Sequence, residues 1–396
     1  MQPDQFLEGF LLQYREVGDT GVQVSALGFG TMRFKNRENA AEIIHHGLPL
    51  GITYFDIGSA YSYKGFDDNA ETWTGAAIAG VPREQMVLSA KAQPRAGEAR
   101  IDVGLGISTR DQMWQCIENS LKRVGVEYFD FYQLWDMSAD DHFQAACVGE
   151  DTPLQAMREA QEQGLVKHLG FTTHGSADFT IRCLDAISDF RFVTLYYNFN
   201  DRGPERAVQY AAEHGVGTCI MGPLRGGLLT GESEAFATAL PEFVGLPIQE
   251  VAMRFLLGTP GVTTLISGMN EIAHLEENAK VASVEEPMTP AQREAFIQAF
   301  VEFSHGEGLC TGCNYCAGSC PEGLPVMHAM AAYQLHEIFG VKTVAKQIAG
   351  LHGNEKHDPA KCTACGSCVE KCPQKLPIPE RMAKLAALAK ELAEVA

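Results

Sequence analysis

CTGCNYCAGSCP at residues 310–321 and CTACGSCVEKCP at residues 362–373 decide the fold of the last third of this chain. Both read C-x-x-C-x-x-C-x-x-x-C-P. Cys310, Cys313, Cys316 and Cys320 precede Pro321, and Cys362, Cys365, Cys368 and Cys372 precede Pro373. Three thiolates at this spacing reach three corners of one iron–sulfur cube. The fourth cysteine, turned away by proline, can ligate another cube. The repeat with identical spacing predicts two 4Fe–4S clusters. Zinc and disulfides are the competing uses of so many thiols, but zinc sites pair C-x-x-C units and need no third cysteine followed by C-P.

Outward from the two runs the chain reads as helix. Residues 291–304 lead into the first run, Val326–Phe339 and Val341–Leu351 fill the stretch between the runs, and Pro379–Ala396 form a charged, Ala/Leu-rich tail expected to pack back on the barrel. A short linker would suit a small β-rich module. This long insert predicts an α-helical ferredoxin-like iron–sulfur domain over residues 291–396.

Residues 1–290 read differently. Short apolar runs, Thr53–Ile57, Met86–Ala90, Phe129–Leu134, His168–Phe171, Phe192–Tyr196, Gly217–Met221 and Thr263–Ile266, alternate with helix-like stretches such as Thr109–Val124 and Pro153–Gln163. Strand–helix alternation predicts an α/β fold with a parallel sheet covered on both faces. With one more strand near Met32, or beside the helix Ala40–Gly47, these elements make a (β/α)8 TIM barrel of the usual size, about 250 residues. A doubly wound sheet would want G-x-G-x-x-G after its first strand, and none stands there. A hairpin over Tyr14–Val24, turning at Gly18–Gly21, is expected to plug the barrel's bottom.

Composition limits the function. A chain of 396 residues with 45% hydrophobic content can bury a large core and a smaller second domain. A net charge of −19 argues against nucleic acid or an anionic membrane as partner. No run approaches the roughly 18 apolar residues of a membrane span, and Met1–Glu8 lacks a signal-peptide pattern. Cys116, Cys147, Cys183 and Cys219 lie outside the cysteine runs and read as reduced, buried thiols. The expectation is a cytoplasmic protein, from an anaerobe or from a reducing compartment.

YREVGDTGVQVSALGFGTM (14–32), YFDIGSAY (54–61), VLSAK (87–91), DFYQLW (130–135), GPLRGGLL (222–229) and LISGMNEIAHLEEN (265–278) occur in the order found in aldo-keto reductases. The chain resembles that family over residues 14–280, and as a whole its branch with a C-terminal 4Fe–4S domain. The resemblance implies reduction of aldehydes and ketones, or oxidation of alcohols, with NAD(P)H by a tetrad of Asp, Tyr, Lys and His. Asp56, Tyr61 and Lys91 match it. The residue types suit the chemistry. A phenol is a poor acid near neutral pH. A nearby ammonium lowers its pKa, and a carboxylate keeps the ammonium charged. Tyr61 would then protonate the carbonyl oxygen as hydride reaches carbon.

The chain departs from the family at several points. Trp135 stands where the tetrad histidine is usual, and its indole donates one N–H but carries no proton. Thr173 stands for a usual asparagine, Thr194 for a glutamine and Met221 for an aromatic. The resemblance implies cofactor contacts at Gly30, Thr31, Met32, Asp56, Thr173, Thr194, Gly222, Pro223, Leu224, Gly226, Gly268, Glu277 and Asn278. Positions that would grip a 2′-phosphate fall on Gly268, Met269 and His274, which offer no Lys or Arg. The glycine-rich phosphate site of a barrel remains, with Arg225 adding charge, and suits NAD or FMN equally.

Three readings follow. A nicotinamide moves two electrons as hydride, and a 4Fe–4S cluster moves one. In the first reading the barrel interconverts a carbonyl and an alcohol with NAD(P)H while the clusters stand apart. In the second, a flavin or ferredoxin-linked enzyme relays single electrons to the barrel, with ferredoxin or another carrier as partner. In the third, the barrel is a non-catalytic electron-carrier scaffold. The two-cluster ferredoxin pattern implies crossed ligation: Cys310, Cys313 and Cys316 with Cys372, and Cys362, Cys365 and Cys368 with Cys320. His174 and the run Tyr196, Tyr197 and Asn198 are candidates to line the mouth. The loops Gln93–Arg110 and Met137–Thr152 name no substrate.

Overall fold

The computed structural model describes residues 11–95, 97–227, 229–231, 243, 245–305, 310, 315–316, 318–338, 340–341 and 344–395. The chain divides into two compact units. One comprises Met1–Tyr197, Pro204–Pro223 and Met253–Met288; the other comprises Asn198–Gly203, Leu224–Ala252 and Thr289–Ala396.

The first unit opens on an antiparallel hairpin, β1 (Tyr14–Glu16) and β2 (Gln23–Ser25), with Tyr14 opposite Ser25. Eight parallel strands follow: β3 (Leu27–Gly30), β4 (Tyr54–Asp56), β5 (Val87–Ala92), β6 (Phe129–Leu134), β7 (Val166–Thr173), β8 (Phe190–Tyr196), β9 (Gly217–Met221) and β10 (Thr264–Ser267). They close into a barrel in the order β10-β3-β4-β5-β6-β7-β8-β9. The expected TIM barrel is therefore present.

The first barrel strand is the one the sequence hides. It runs Leu27–Gly30, ahead of Met32, which lies in a 3-10 turn at Thr31–Arg33. Its two glycines weaken a strand pattern but meet a packing need. A Cβ on Gly28 would stand 2.6 Å from Cδ1 of Tyr54 on the neighbouring strand.

The hairpin closes the end of the barrel where the strands begin. Val17 and Val24, both fully buried, pack with Tyr54, Val87, Phe131, Phe192, Cys219 and Ile266 inside the barrel. The β5 and β6 side chains that point inward repeat every second residue. This puts Ser89 and Lys91 on one column and Gln133 and Trp135 on the next.

The surrounding helices start where side chains satisfy their first N–H groups. The Asn69 carboxamide accepts from the backbone N–H of Glu71 and Thr72 at the start of helix Ala70–Ile78. Thr109 and Gln112 form a capping box at helix Arg110–Val124, which ends on Gly125 at φ 74°. These two helices share a fully buried ion pair, Arg123 Nε to Glu71 Oε2 at 2.5 Å. Ser120 Oγ donates to the other Glu71 oxygen at 2.8 Å.

The second unit is helical in its described residues, with helices Pro290–His305, Val326–Tyr333, Ala345–Ala349, Ser367–Lys371 and Ile378–Val395. The helix expected to run through residue 339 stops at Tyr333 and continues as a π-turn, Gln334–Ile338. The helix expected from Val341 begins at Ala345. Phe199 packs edge-on against Phe296 and Phe300, with centroids 5.5 and 5.6 Å away. The tail helix packs on Val326–Tyr333 and Ala345–Ala349, and the Arg381 guanidinium lies over the Tyr333 ring.

Candidate active site and cluster-binding cysteines

Asp56 ends β4, Lys91 lies one residue short of the end of β5, and Trp135 directly follows β6. All three therefore rise at the C-terminal end of the barrel, where enzymes of this fold keep their chemistry. Lys91 Nζ contacts Asp56 Oδ2 at 2.5 Å, with both side chains 3% exposed. Tyr61 comes from the loop after β4. The Lys91 ammonium stands 5.1 Å from the centre of its ring and 5.9 Å from that of Trp135. Tyr61 and Trp135 meet edge-to-face, 5.4 Å apart at 77°.

The Tyr61 ring needs Gly58 beneath it. A Cβ at residue 58 would stand 2.9 Å from Cε2 of Tyr61, closer than a side chain tolerates.

The electrostatics follow from burial. Burial works to lower the Lys91 pKa, but the Asp56 and Tyr61 charges and their hydrogen bonds raise it well above the ordinary lysine value. Lys91 is charged across all ordinary pH. The Tyr61 pKa is raised, first by burial and further by Asp56, with Lys91 pulling the other way. The expected lowering by ammonium is thus real in direction but outweighed. Tyr61 keeps its proton at neutral pH. The Asp56 carboxyl is likewise raised by burial against Lys91. Its Oδ1 is buried without a partner among the described residues.

Below this group a polar chain crosses the barrel. Gln133 Nε2 donates to Ser89 Oγ at 2.8 Å, and Thr194 Oγ1 donates to Gln133 Oε1 at 2.7 Å. Thr194 and Gln133 are fully buried. Thr194, expected at a nicotinamide, spends its hydroxyl proton on Gln133 instead. Neither Ser89 nor Gln133 stood out in the sequence, although their two-residue spacing from Lys91 and Trp135 would have marked them.

Asp136, just past Trp135, takes φ 61°, a left-handed conformation costly for a residue with a Cβ. Its backbone N–H donates to Thr172 Oγ1 at 2.8 Å, Ser138 Oγ donates to its Oδ1 at 2.7 Å, and Arg95 pairs with its Oδ2 at 3.1 Å. His174 lies 5.4 Å, ring to ring, from Tyr196. Burial lowers its pKa, so it is neutral near pH 7.

The other expected cofactor positions are placed as follows. Thr31 Oγ1 donates to the Asp56 carbonyl at 3.0 Å, joining the ends of β3 and β4. Gly30 ends β3, and Met32 is 50% exposed. Thr173 Oγ1 accepts from the Gly175 N–H at 2.8 Å. Gly222 has φ 68°, and the Tyr196 ring lies where its Cβ would be. Pro223 is buried, while Leu224 and Gly226 belong to the second unit. The Arg33 stem crosses Gly268. Asn278 is buried and donates to Ser267 Oγ at 3.1 Å, while Glu277 is exposed.

In the second unit one cavity is lined by Cys320, Cys362, Cys365 and Cys368, with Leu324 and Met382 among its apolar walls. Three thiols come from the second cysteine run and one from the first. Cys372 does not line it, although it is as buried as Cys368. The Ser367 hydroxyl and backbone N–H lower the Cys365 pKa. No set of three His, Cys, Asp or Glu among the described residues is grouped for a single metal ion. A cube differs, because each thiolate binds its own iron. Cys310 and Cys316 are partly buried, and Cys313 lies outside the described residues.

Comparison with known proteins agrees with this anatomy. Residues 26–295 match the model of the aldo/keto reductase family, and residues 304–373 match a 4Fe-4S dicluster domain. The chain is 23% identical over 295 residues to the uncharacterized oxidoreductase YqkF of Bacillus subtilis, covering 69% of this chain and 92% of that one. It is 26% identical over 299 residues to L-galactose dehydrogenase of Arabidopsis thaliana, covering 69% and 89%. Among solved structures, the holo form of aldo-keto reductase AKR11C1 from Bacillus halodurans superposes with TM-score 0.62 at 24% identity, over 73% of this chain and 96% of that one. That last likeness concerns the fold.

Proposed function

The chain belongs to the aldo/keto reductase family and carries a C-terminal 4Fe-4S dicluster domain, and from that premise we propose that this oxidoreductase interconverts a small carbonyl and an alcohol with NAD(P)H. The observation that carries this reading is the buried Asp56–Lys91 pair beside a protonated Tyr61. A bound nicotinamide supplies or accepts the hydride. The protein's own residues do the rest. Tyr61 donates a proton to the carbonyl oxygen. Lys91 keeps a fixed positive charge beside the phenol and stabilises the phenolate left behind. Asp56 holds Lys91 charged and in place. Trp135 flanks Tyr61 where the family's histidine would stand, which leaves orientation of the carbonyl to the Tyr61 hydroxyl and the single indole N–H.

The residues fit a dinucleotide in part. Arg33 supplies the cation that Gly268, Met269 and His274 lack. Its stem crosses Gly268, its side chain is solvent-facing, and no acidic side chain pairs with it among the described residues. The orphaned Asp56 Oδ1 is a buried acceptor without a donor, which is rare in a complete site. Thr173 and Thr194 are already engaged within the protein, which weakens the amide end of the site and leaves the flavin-linked reading as the competitor.

For the clusters, the crossed ligand assignment is supported by the cavity that takes Cys320 with Cys362, Cys365 and Cys368 but leaves out Cys372. Cys310, Cys313, Cys316 and Cys372 would hold the second cube. The deciding experiment is anaerobic titration of the purified protein with NADPH and with NADH, followed by nicotinamide fluorescence and by the visible spectrum. Saturable binding that leaves the cluster absorption unbleached supports the nicotinamide carbonyl reductase. Flavin released on denaturation, or clusters bleached by the nucleotide, would transfer the case to the electron-relay reading.

A further inference from the structure

Gln334 opens the π-turn Gln334–Ile338. Such turns are rare and gather at functional positions. Its side chain is buried, at 1% exposure, and both ends of its amide are used. Oε1 accepts the backbone N–H of Cys310 at 2.9 Å. Nε2 donates to Asn200 Oδ1 at 2.7 Å. Asn200 is itself buried, and its backbone N–H donates to Asn198 Oδ1 at 3.1 Å. One buried glutamine therefore joins the first cysteine of the first run to the segment that leaves β8, four residues after Tyr196.

We propose that Gln334 is a positioning residue that sets the reduction potential of the cluster held by Cys310 and links that cluster to the segment 198–203. This rests on the reading of Cys310 as a cluster ligand. The physical basis is direct. A cluster's potential depends on nearby charge, burial and the hydrogen bonds around its sulfurs. The Gln334 oxygen fixes the Cys310 N–H and directs it to an amide rather than to sulfur. Gln334 is in turn held by Asn200, so a change in the segment 198–203 reaches the cysteine through two hydrogen bonds.

The test uses the full chain, purified without oxygen, in EPR-monitored redox titrations at about pH 7 and pH 9. Q334E keeps both hydrogen bonds if the Asn200 amide turns over, and adds one negative charge. The expected result is a full iron complement with one midpoint shifted downward, more so at the higher pH, and the other midpoint unmoved. N200D should shift the same midpoint by less. Q334L, which makes neither bond, should move that midpoint alone. If Q334L loses iron, Q334E decides. Midpoints unchanged in Q334E, both moved equally, or a cluster lost from Q334E would overturn the proposal. C310S separates this from failure of the ligand reading. If C310S keeps both clusters, Cys310 is no ligand. If it loses one while Q334E shifts nothing, the Gln334 inference fails alone.

Discussion

Tyr61 is held by its neighbours rather than by a strand: Gly58 leaves room beneath the ring, Trp135 meets it edge-on, and Lys91 stands over its face. Replacing Tyr61 by Phe keeps all three ring contacts and removes the hydroxyl, with its proton and its hydrogen bond to Lys91. Carbonyl reduction should fall by about 10²–10⁴-fold, with the melting temperature nearly unchanged, as a paired assay and thermal melt would show. Because burial raises the Tyr61 pKa, reduction by the wild type should stay level through neutral pH and decline only above the ordinary tyrosine range. Asp201 gives a pH test of stability. Burial raises its carboxyl to about 6, against the Gly203 N–H and Arg225, from an unfolded value of about 3.9. The folded state thus holds an extra proton between those values, so stability falls as pH rises through that window and stays lower above it. D201N removes the effect. Its advantage over wild type should be smallest near pH 3.5 and grow by on the order of 1–2 kcal/mol by about pH 8, allowing for partial exposure. A variant whose advantage does not grow with pH would contradict this. At this scale Asp56, Tyr61 and Lys91 were legible because they sit in ordered motifs. Gln334 was not, since a buried amide announces itself only when its partners are known, whereas Ser89 and Gln133 carry only the faint signal of standing two residues before Lys91 and Trp135.

Elements were legible wherever apolar runs were long. Phe129–Leu134 and Gly217–Met221 occupy the stretches the sequence suggested, and the hairpin plugs the barrel through Val17 and Val24. The first barrel strand, expected near Met32, lies just ahead of it at Leu27–Gly30, and its bounds are blurred in the sequence because Gly28 and Gly30 dilute the pattern. The stretch expected to be helical from Val326 is helical through Ile338, but nothing in its composition signals the change from α to π at Gln334. The pair Arg123–Glu71 binds two neighbouring helices across a buried interface. R123M strands Glu71 and should cost about 3–5 kcal/mol, whereas R123M with E71L should recover most of it. Denaturant unfolding of both variants measures the difference. Equal losses in single and double variants would show that the pair contributes little.

For the whole molecule, the cysteine spacing and the strand–helix alternation together gave the order of the two modules. The grouping of residues 198–203 and 224–252 with the C-terminal unit had no sequence signal, because it depends on tertiary partners such as Phe199 against Phe296. Among the described residues no helix is long and apolar enough to cross a membrane. C313S should remove one cluster and about half of roughly eight irons per chain, read by iron analysis and EPR. Iron that stays near eight would refute the assignment.

The cavity that borrows Cys320 for a site otherwise built from Cys362, Cys365 and Cys368 also dictates when the domain can be finished. On the crossed assignment neither cube has all four ligands until the chain has been made as far as the second run, and the site served by Cys372 waits longest. Iron loading then waits until the second run has been made. A chain interrupted anywhere between Cys320 and Cys362 forfeits both cubes, not one.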